Sequence, residues 1–412
     1  TNNSAVSQNV AATVTLGPAG PPQSLLALSC TASAGTCTIA ANQASLSYTA
    51  TLSAGASATV SYILQVNDGV APGTVLTSSV SATFNGGAAV TAGATTVANC
   101  ALAGPGAPII TAAERTVMND QRPGSILFYP IYTSDASGGG SQNARISLTN
   151  TSDKLATFVH LFFVDGSTCS VSDAFVCLTA GQTTAFLTSD LDPGTRGYLV
   201  AVATDAAGCP RHFNYLIGDE YVKFATGHRA ALGAEAVAAI AGSTFWVSCD
   251  GSAPTAVLRF NSVDYGAVPY TLAEDNLQST VDGNNTLLIL NRIGGDLQTG
   301  PSRLVPIFGT LYDDGEISYS FNLPTNNLCQ FVSSLSDSVP RTTPRLSNII
   351  PTGRTGWFKV SGTSEIGIFG ASINFNPNTA SSSGAYIGGH NLHKLTFTNA
   401  MTYTIPVFPP TC

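Results

Sequence analysis

Along most of this chain apolar and polar residues alternate in short runs, broken by Gly, Pro, Asn and Ser. That period-2 pattern belongs to half-buried β-strands. It predicts strands over Ala11 to Leu16, Ser47 to Leu52, Ala58 to Val66 and Thr74 to Phe84. Further on it predicts Ile126 to Tyr129, Tyr198 to Val202, Leu395 to Thr398 and Tyr403 to Phe408. One segment departs: the Ala-rich run from Gly227 to Ala241 predicts a helix, with Leu232, Ala236, Ala239 and Ile240 on one narrow face. The pattern as a whole predicts all-β sandwiches with one short helix. Pro406, Pro409 and Pro410 confine the final strand to a sheet edge or to an extended lash over another surface.

The Gly/Pro stretch Ala103 to Pro108 reads as a linker. Three domains are expected: a first sandwich over 1–104, a sandwich plus helix over 105–243, and a second sandwich over 244–412. The last reads as a diverged duplicate packed on the one before it. Three landmarks recur in order. Ala144 to Asn150 parallels Thr286 to Asn291, Val159 to Gly166 parallels Val305 to Gly315, and Pro193 to Tyr198 parallels Pro351 to Trp357.

Composition narrows the setting. Charged residues make up 10% of the 412 positions, against roughly 25% in an average soluble domain. The net charge of −8 and the absence of any Lys/Arg cluster argue against a nucleic-acid partner. No apolar run approaches the roughly 20 residues of a membrane-spanning helix. Thr1 is not an initiator Met, so a mature or trimmed product is expected. Nine cysteines, with no C-x-x-C and no His at zinc-finger spacing, point to disulfides and an oxidising compartment. The close pairs Cys30/Cys37 and Cys169/Cys177 read as stapled loops, and Cys209–Cys249 and Cys329–Cys412 as longer bridges. Cys100 is left over, which in an exported protein points to an intermolecular partner or to one on the missing strand.

The first hundred residues carry Thr1-Asn2-Asn3, then Cys30/Cys37, then Leu52 to Val60. In that order they resemble the immunoglobulin-like "conserved repeat" domain found in tandem on bacterial cell-surface proteins. The resemblance implies a spacer or assembly module, and it makes the expected fold class tandem immunoglobulin-like/β-sandwich domains with one short helix. The departure is the family's leading strand, which nothing before Thr1 supplies. A sandwich short of a strand leaves unpaired backbone groups that invite a strand from another chain. Ala107 to Cys412 resembles an uncharacterised exported bacterial family with no known activity.

Candidate chemistry is sparse. His390 and His393 lie three apart with no carboxylate beside them in sequence, a poor metal set, and read as a hydrogen-bonded turn before a strand. Asp219-Glu220, near His212 and His228, are neighbours on a strand, whereas a glycosidase sets two carboxylates across a cleft. Ser189 to Gly194 and Leu311 to Glu316 hold oxygen ligands of the kind Ca²⁺ takes, without completing an EF-hand. No G-x-S-x-G, P-loop, G-x-G-x-x-G or H-E-x-x-H occurs. Asn2, Asn150 and Asn284 sit in N-x-S/T triplets.

Together these readings predict an extracellular, cell-surface structural subunit, with no catalytic residues or resident cofactor, that assembles with copies of itself into a filament or layer. Strand donation is the expected route, with Thr1, Asn2, Asn3, Cys100, Ile405, Val407 and Phe408 as assembly residues and either Thr1 to Thr15 or Met401 to Cys412 as donor. The alternative is an adhesin or glycan-binding protein using Trp246, Trp357, Tyr265 and Tyr270; a glycoside hydrolase is the third reading.

Overall fold

A computed structural model describes residues 1–17, 25–66, 74–97, 117–134, 141–240, 249, 254–325, 328–362, 365–378 and 386–411. The chain folds into two compact units, Thr1–Leu102 and Ala103–Cys412. The expected segments 105–243 and 244–412 both fall within the second.

The first unit is built from β1 (Gln8–Gly17), β2 (Leu25–Ala32), β3 (Thr36–Ile39), β4 (Ser45–Leu52), β5 (Val60–Val66), β6 (Val75–Phe84) and β7 (Val90–Val97). A five-stranded sheet in the order β3-β4-β1-β6-β7 faces the two-stranded sheet β2-β5. Alternation places Val14, Leu16, Leu25, Ala27, Leu46 and Leu76 in the core between them.

The second unit begins with β8 (Ile126–Thr133), β9 (Asn143–Asn150), β10 (Thr157–Asp165), β11 (Val171–Leu178), β12 (Thr183–Leu187), α1 (Thr188–Leu191), β13 (Arg196–Thr204), β14 (Leu216–Lys223), β15 (Arg229–Gly233) and β16 (Glu235–Val237). It continues with β17 (Thr255–Phe260), β18 (Val268–Gln278), β19 (Asn285–Arg292), β20 (Gly295–Asp296), β21 (Gly300–Pro301), β22 (Ile307–Asp313), β23 (Ser318–Leu323) and β24 (Gln330–Ser334). Last come α2 (Leu346–Ile349), β25 (Thr355–Gly362), β26 (Ile368–Phe375), β27 (Gly388–Asn391), β28 (His393–Thr398) and β29 (Met401–Pro406). The protein is thus all-β, with separate antiparallel sheets and two one-turn helices among the described residues.

The predicted helix over 227–241 is instead strand. Ala230 and Leu232 point into the core while Arg229 and Ala231 face solvent, and β15 pairs along β14 from Asp219↔Gly233 to Lys223↔Arg229. Alanine's helix propensity is worth only tenths of a kcal/mol per residue, and pairing against a buried sheet overrides it.

Strand order repeats within this unit. The sheets β11-β10-β13-β8-β16 and β12-β9-β14-β15 recur as β23-β22-β25-β18-β28 and β24-β19-β26-β27. Each member of the first half has its counterpart in chain order, and α1 and α2 both follow the fifth strand of their half. The sequence landmarks fall on matching elements: β9 with β19, β10 with β22, and the turn before β13 with the turn before β25. The halves share their cores. Leu287, Ile289, Ala371 and Ile373 pack in one cluster with Leu127, Ile146 and Leu161; Phe369 and Tyr403 pack in another with Phe128 and Tyr198.

Candidate functional site

Sheet edges come first, because assembly was the expectation. Asn2 is 2% exposed. Its Nδ2 donates to the carbonyls of Val6, Leu52 and Ser53, its backbone N–H donates to Ala56 O, and its carbonyl accepts from Gly55 N. Thr1 Oγ1 meets Ser57 Oγ, and Asn3 is exposed. The strand that follows, β1, is the centre of its sheet, flanked by β4 and β6.

At the other end β29 pairs with β17 and, in parallel, with β20; Ile405 is fully buried and Val407 nearly so. Phe408 lies edge-on to His160 and Phe175, on a turn where Gly208 leaves no room for a Cβ. The tail is therefore a lash over its own unit. Both expected donors are held in sheets of their own chain, and this corrects the donor assignment: release would expose Val14, Leu16 and Ile405.

What remains open is an acceptor. Among the described residues β5 pairs with β2 alone, so its outer edge is bare. Tyr62 and Leu64 of β5 belong to the same core as Leu76 and Val80 of β6. On β7, Val90, Ala92, Ala94 and Thr96 pair with the inward positions Ala82, Val80, Ser78 and Leu76, yet all four are exposed. Among the described residues two strands cover a five-stranded sheet, and the inner face of β7 has no strand over it.

The cysteines follow the expectation in part. Cys30–Cys37 and Cys209–Cys249 are bridged, with Cα separations of 5.9 and 5.8 Å. Cys169 bonds Cys329 instead of Cys177, at a Cα separation of 5.5 Å; this also corrects Cys329–Cys412. The reason is geometric. Residues 171–178 are extended β11, and the six steps from Val171 to Cys177 span roughly 20 Å, far beyond a disulfide's reach. The turn that holds Cys169 packs instead on the start of β24, where Gly166 O accepts from the N–H groups of Cys329 and Gln330. Cys177 is disulfide-bonded too. Cys100, Cys412 and Trp246 lie outside the described residues.

The three glycosylation triplets present no free amide. Asn150 and Asn284 are buried like Asn2, with Asn150 Nδ2 bonded to the Leu155 and Thr179 carbonyls and Asn284 Nδ2 to Ser279 O. Glu220 is buried beneath the Ile131 N–H, and burial pushes its carboxyl well above the usual carboxylate range. His228 is held by Thr226 and Asn285, away from it. In the two calcium-like turns, Asp192 accepts from the Tyr132, Ser172 and Thr195 hydroxyls, Asp313 accepts from the Gly315 and Ile317 N–H groups, and Asp314 pairs with Arg354. Tyr265 is buried. Trp357 faces out and stacks on Tyr312, centroids 4.2 Å apart and planes 5° from parallel.

The His390/His393 pair is placed unexpectedly. His390 is the last residue but one of β27 and His393 the first of β28; buried Leu392 breaks the strand between them, and the two rings lie with centroids 5.8 Å apart. Carboxylates arrive from β18, where the register shifts between Glu274 and Leu277. His390 Nε2 lies 3.4 Å from Glu274 Oε2 and 3.5 Å from Asp275 Oδ1; His393 Nε2 lies 3.4 Å from Asp275 Oδ2. Contact with Glu274 raises the His390 pKa above the ordinary imidazole value, against the effect of burial. Sequence reasoning missed Glu274 and Asp275 because more than a hundred residues separate them from the histidines.

Fold and sites together define an all-β, disulfide-bonded protein with, among the described residues, an unpaired strand edge and a cluster of two histidines and two carboxylates. No family model matches the chain, and no curated protein matches it. Among the described residues no helix is long and apolar enough to cross a membrane.

Proposed function

We propose that this chain is an extracellular structural subunit that joins neighbouring copies by strand pairing at its first unit. The observation that carries the reading is that, among the described residues, one edge of β5 is unpaired and the inward positions of β7 are exposed. Main-chain hydrogen bonds along β5 and small apolar contacts with Val90, Ala92 and Ala94 would complete the sandwich. The resemblance of residues 1–104 to surface repeat domains agrees with this, and the disulfides agree with an exported protein. The donor is a segment of the neighbour other than β1 or β29, since both are held in their own sheets.

Negative-stain imaging and sedimentation test the reading. Fibres, layers or concentration-dependent oligomers are expected, and Ala92→Lys, on an exposed position, abolishes them while leaving the far-UV CD unchanged. A wild-type protein that stays monomeric at every concentration refutes it.

A second reading, glycan binding, is favoured by the outward Tyr312–Trp357 stack, with Phe308 exposed on the same face of β22. Saccharide titrations monitored by Trp fluorescence separate it from the first.

A further inference from the structure

We propose that Asp275, His390 and His393 form a divalent-cation site of Zn²⁺ character, with Glu274 as the buried carboxylate at its back. Three independent observations lead there.

The first is spacing. Charge-assisted N–H···O bonds run about 2.7–2.9 Å, whereas the gaps between these atoms are 3.4, 3.5 and 3.4 Å. A tetrahedral centre with metal–ligand bonds of about 2.0–2.1 Å sets its donor atoms about 3.3–3.4 Å apart. The side chains are too far apart to bond one another well and correctly spaced to share an ion. One ligand atom each from Asp275, His390 and His393 lies within 4.8 Å of the others, the only such group among the described residues.

The second is a buried carboxylate that is only loosely compensated. The Glu274 side chain is 0% exposed, and its ion-pair contact is His390 Nε2 at 3.4 Å, longer than a good charge-assisted hydrogen bond. A buried carboxylate held at that distance is poorly repaid for its desolvation, and a cation beside it offsets the charge.

The third comes from the repeated half. Register matches Glu235 with His393, since each opens its strand one residue after a break and pairs with Phe128 or Ala273 respectively. Glu274 then falls on Tyr129, and the neighbouring strand agrees: Leu199 pairs with Tyr129 where Phe358 pairs with Glu274. Asp275 falls on Pro130 and His390 on Leu232. The first half closes this same joint with Tyr129, Pro130 and Leu232, all buried. The fold therefore does not need the ligating set; the second half carries it for another reason.

Two imidazoles and a carboxylate suit Zn²⁺ and its neighbours over Ca²⁺, which takes oxygen alone. Asp275 and His393 are 62% and 56% exposed, so the ion meets solvent and keeps a coordination position for water or an outside donor. The proposal is independent of the β5 edge, and its failure leaves the assembly reading untouched.

The test uses the full chain stripped with a chelator. Calorimetric titration with ZnCl₂ is expected to give one ion per chain with a micromolar or tighter Kd, and CoCl₂ to give visible d–d bands that Zn²⁺ abolishes and Ca²⁺ does not. His390→Gln/His393→Gln is expected to weaken Zn²⁺ binding by a factor of about 100 or more, and Asp275→Asn by about 10. Both keep the metal-free far-UV CD and thermal midpoint. His212→Gln, a control for generic histidine binding, changes nothing. Absence of saturable Zn²⁺ uptake by the wild type, or binding in the double variant equal to that of the wild type, overturns the proposal.

Discussion

Removing the Cys169–Cys329 bridge with Cys169→Ala/Cys329→Ala should destabilise the second unit far more than it disturbs its structure. The bridge closes a loop of 160 residues. Loop-closure entropy for that length gives about 5 kcal/mol. Cys209–Cys249 lies inside the loop and short-circuits 40 residues, which lowers the figure by only about 0.3 kcal/mol. The folded state should tolerate the change. Both cysteines are buried, and alanine keeps the Cβ of each, so it adds no backbone strain to what cysteine already bears at Cys169, where φ is 66°. The turn stays tied by Asp165 Oδ1, which accepts from Ser167 N, Ser167 Oγ and Thr168 N, and by Gly166 O.

Urea unfolding followed by Trp fluorescence measures this cleanly, because both tryptophans, Trp246 and Trp357, belong to the second unit. With a slope of about 3 kcal/mol/M the midpoint should fall by about 1.5 M. Cys30→Ala/Cys37→Ala serves as the internal control. Its loop spans 7 residues in the other unit, is worth about 2.4 kcal/mol there, and should leave the fluorescence transition unmoved. A midpoint shift below about 0.3 M in the first variant, about 1 kcal/mol at that slope, would refute the loop-entropy reasoning.

Two further outcomes are expected. Glu220 titrates above its ordinary 4.5 because it is buried, so the folded state holds a proton that the unfolded state releases, and wild-type stability declines as pH rises above about 4.5. Glu220→Gln removes that slope: its thermal midpoint should exceed wild type at pH 8 and match it at pH 3.5, and equal midpoints at pH 8 would count against a buried acid. Asn2→Ala removes three side-chain donations and two acceptances from Ser4, at a cost of about 2–3 kcal/mol. Amide exchange should quicken at Gly55 and Ala56, and unchanged protection there would show that Asn2 is not what pins the first residues.

How far the sequence could be read depended on whether proximity was local. Alternation located β1, β4, β6 and β29 because one face of each strand is buried, and that needs no knowledge of the neighbours. The landmarks Ala144 to Asn150 and Thr286 to Asn291 were legible as a repeat for the same reason. The segment 227–241 misled because alanines carry a helical preference while their small side chains also suit a close-packed strand; only pairing with β14 decides. Cys169–Cys329 and the Glu274/Asp275–His390/His393 cluster were invisible because tertiary pairing creates them. His390 and His393 read as a hydrogen-bonded turn because no carboxylate stands beside them in sequence, and the fold supplies those carboxylates from β18.

The duplication gives this last point its weight. When two halves share strand order and register, a difference at one matched position can be weighed against a fold that already works without it. At the joint between the last two strands, the first half buries Tyr129 and Leu232 and leaves Glu235 to meet Lys394 Nζ at 2.8 Å. The second half puts two imidazoles and two carboxylates there, with Glu274 met by His390 Nε2 only at 3.4 Å. An apolar joint is the more stable choice for a sandwich, since buried charge seldom repays its desolvation. The second half gives up that stability at three positions, where Glu274, Asp275 and His390 stand for Tyr129, Pro130 and Leu232, and coordination of an ion is the gain that the spacing of their atoms would supply.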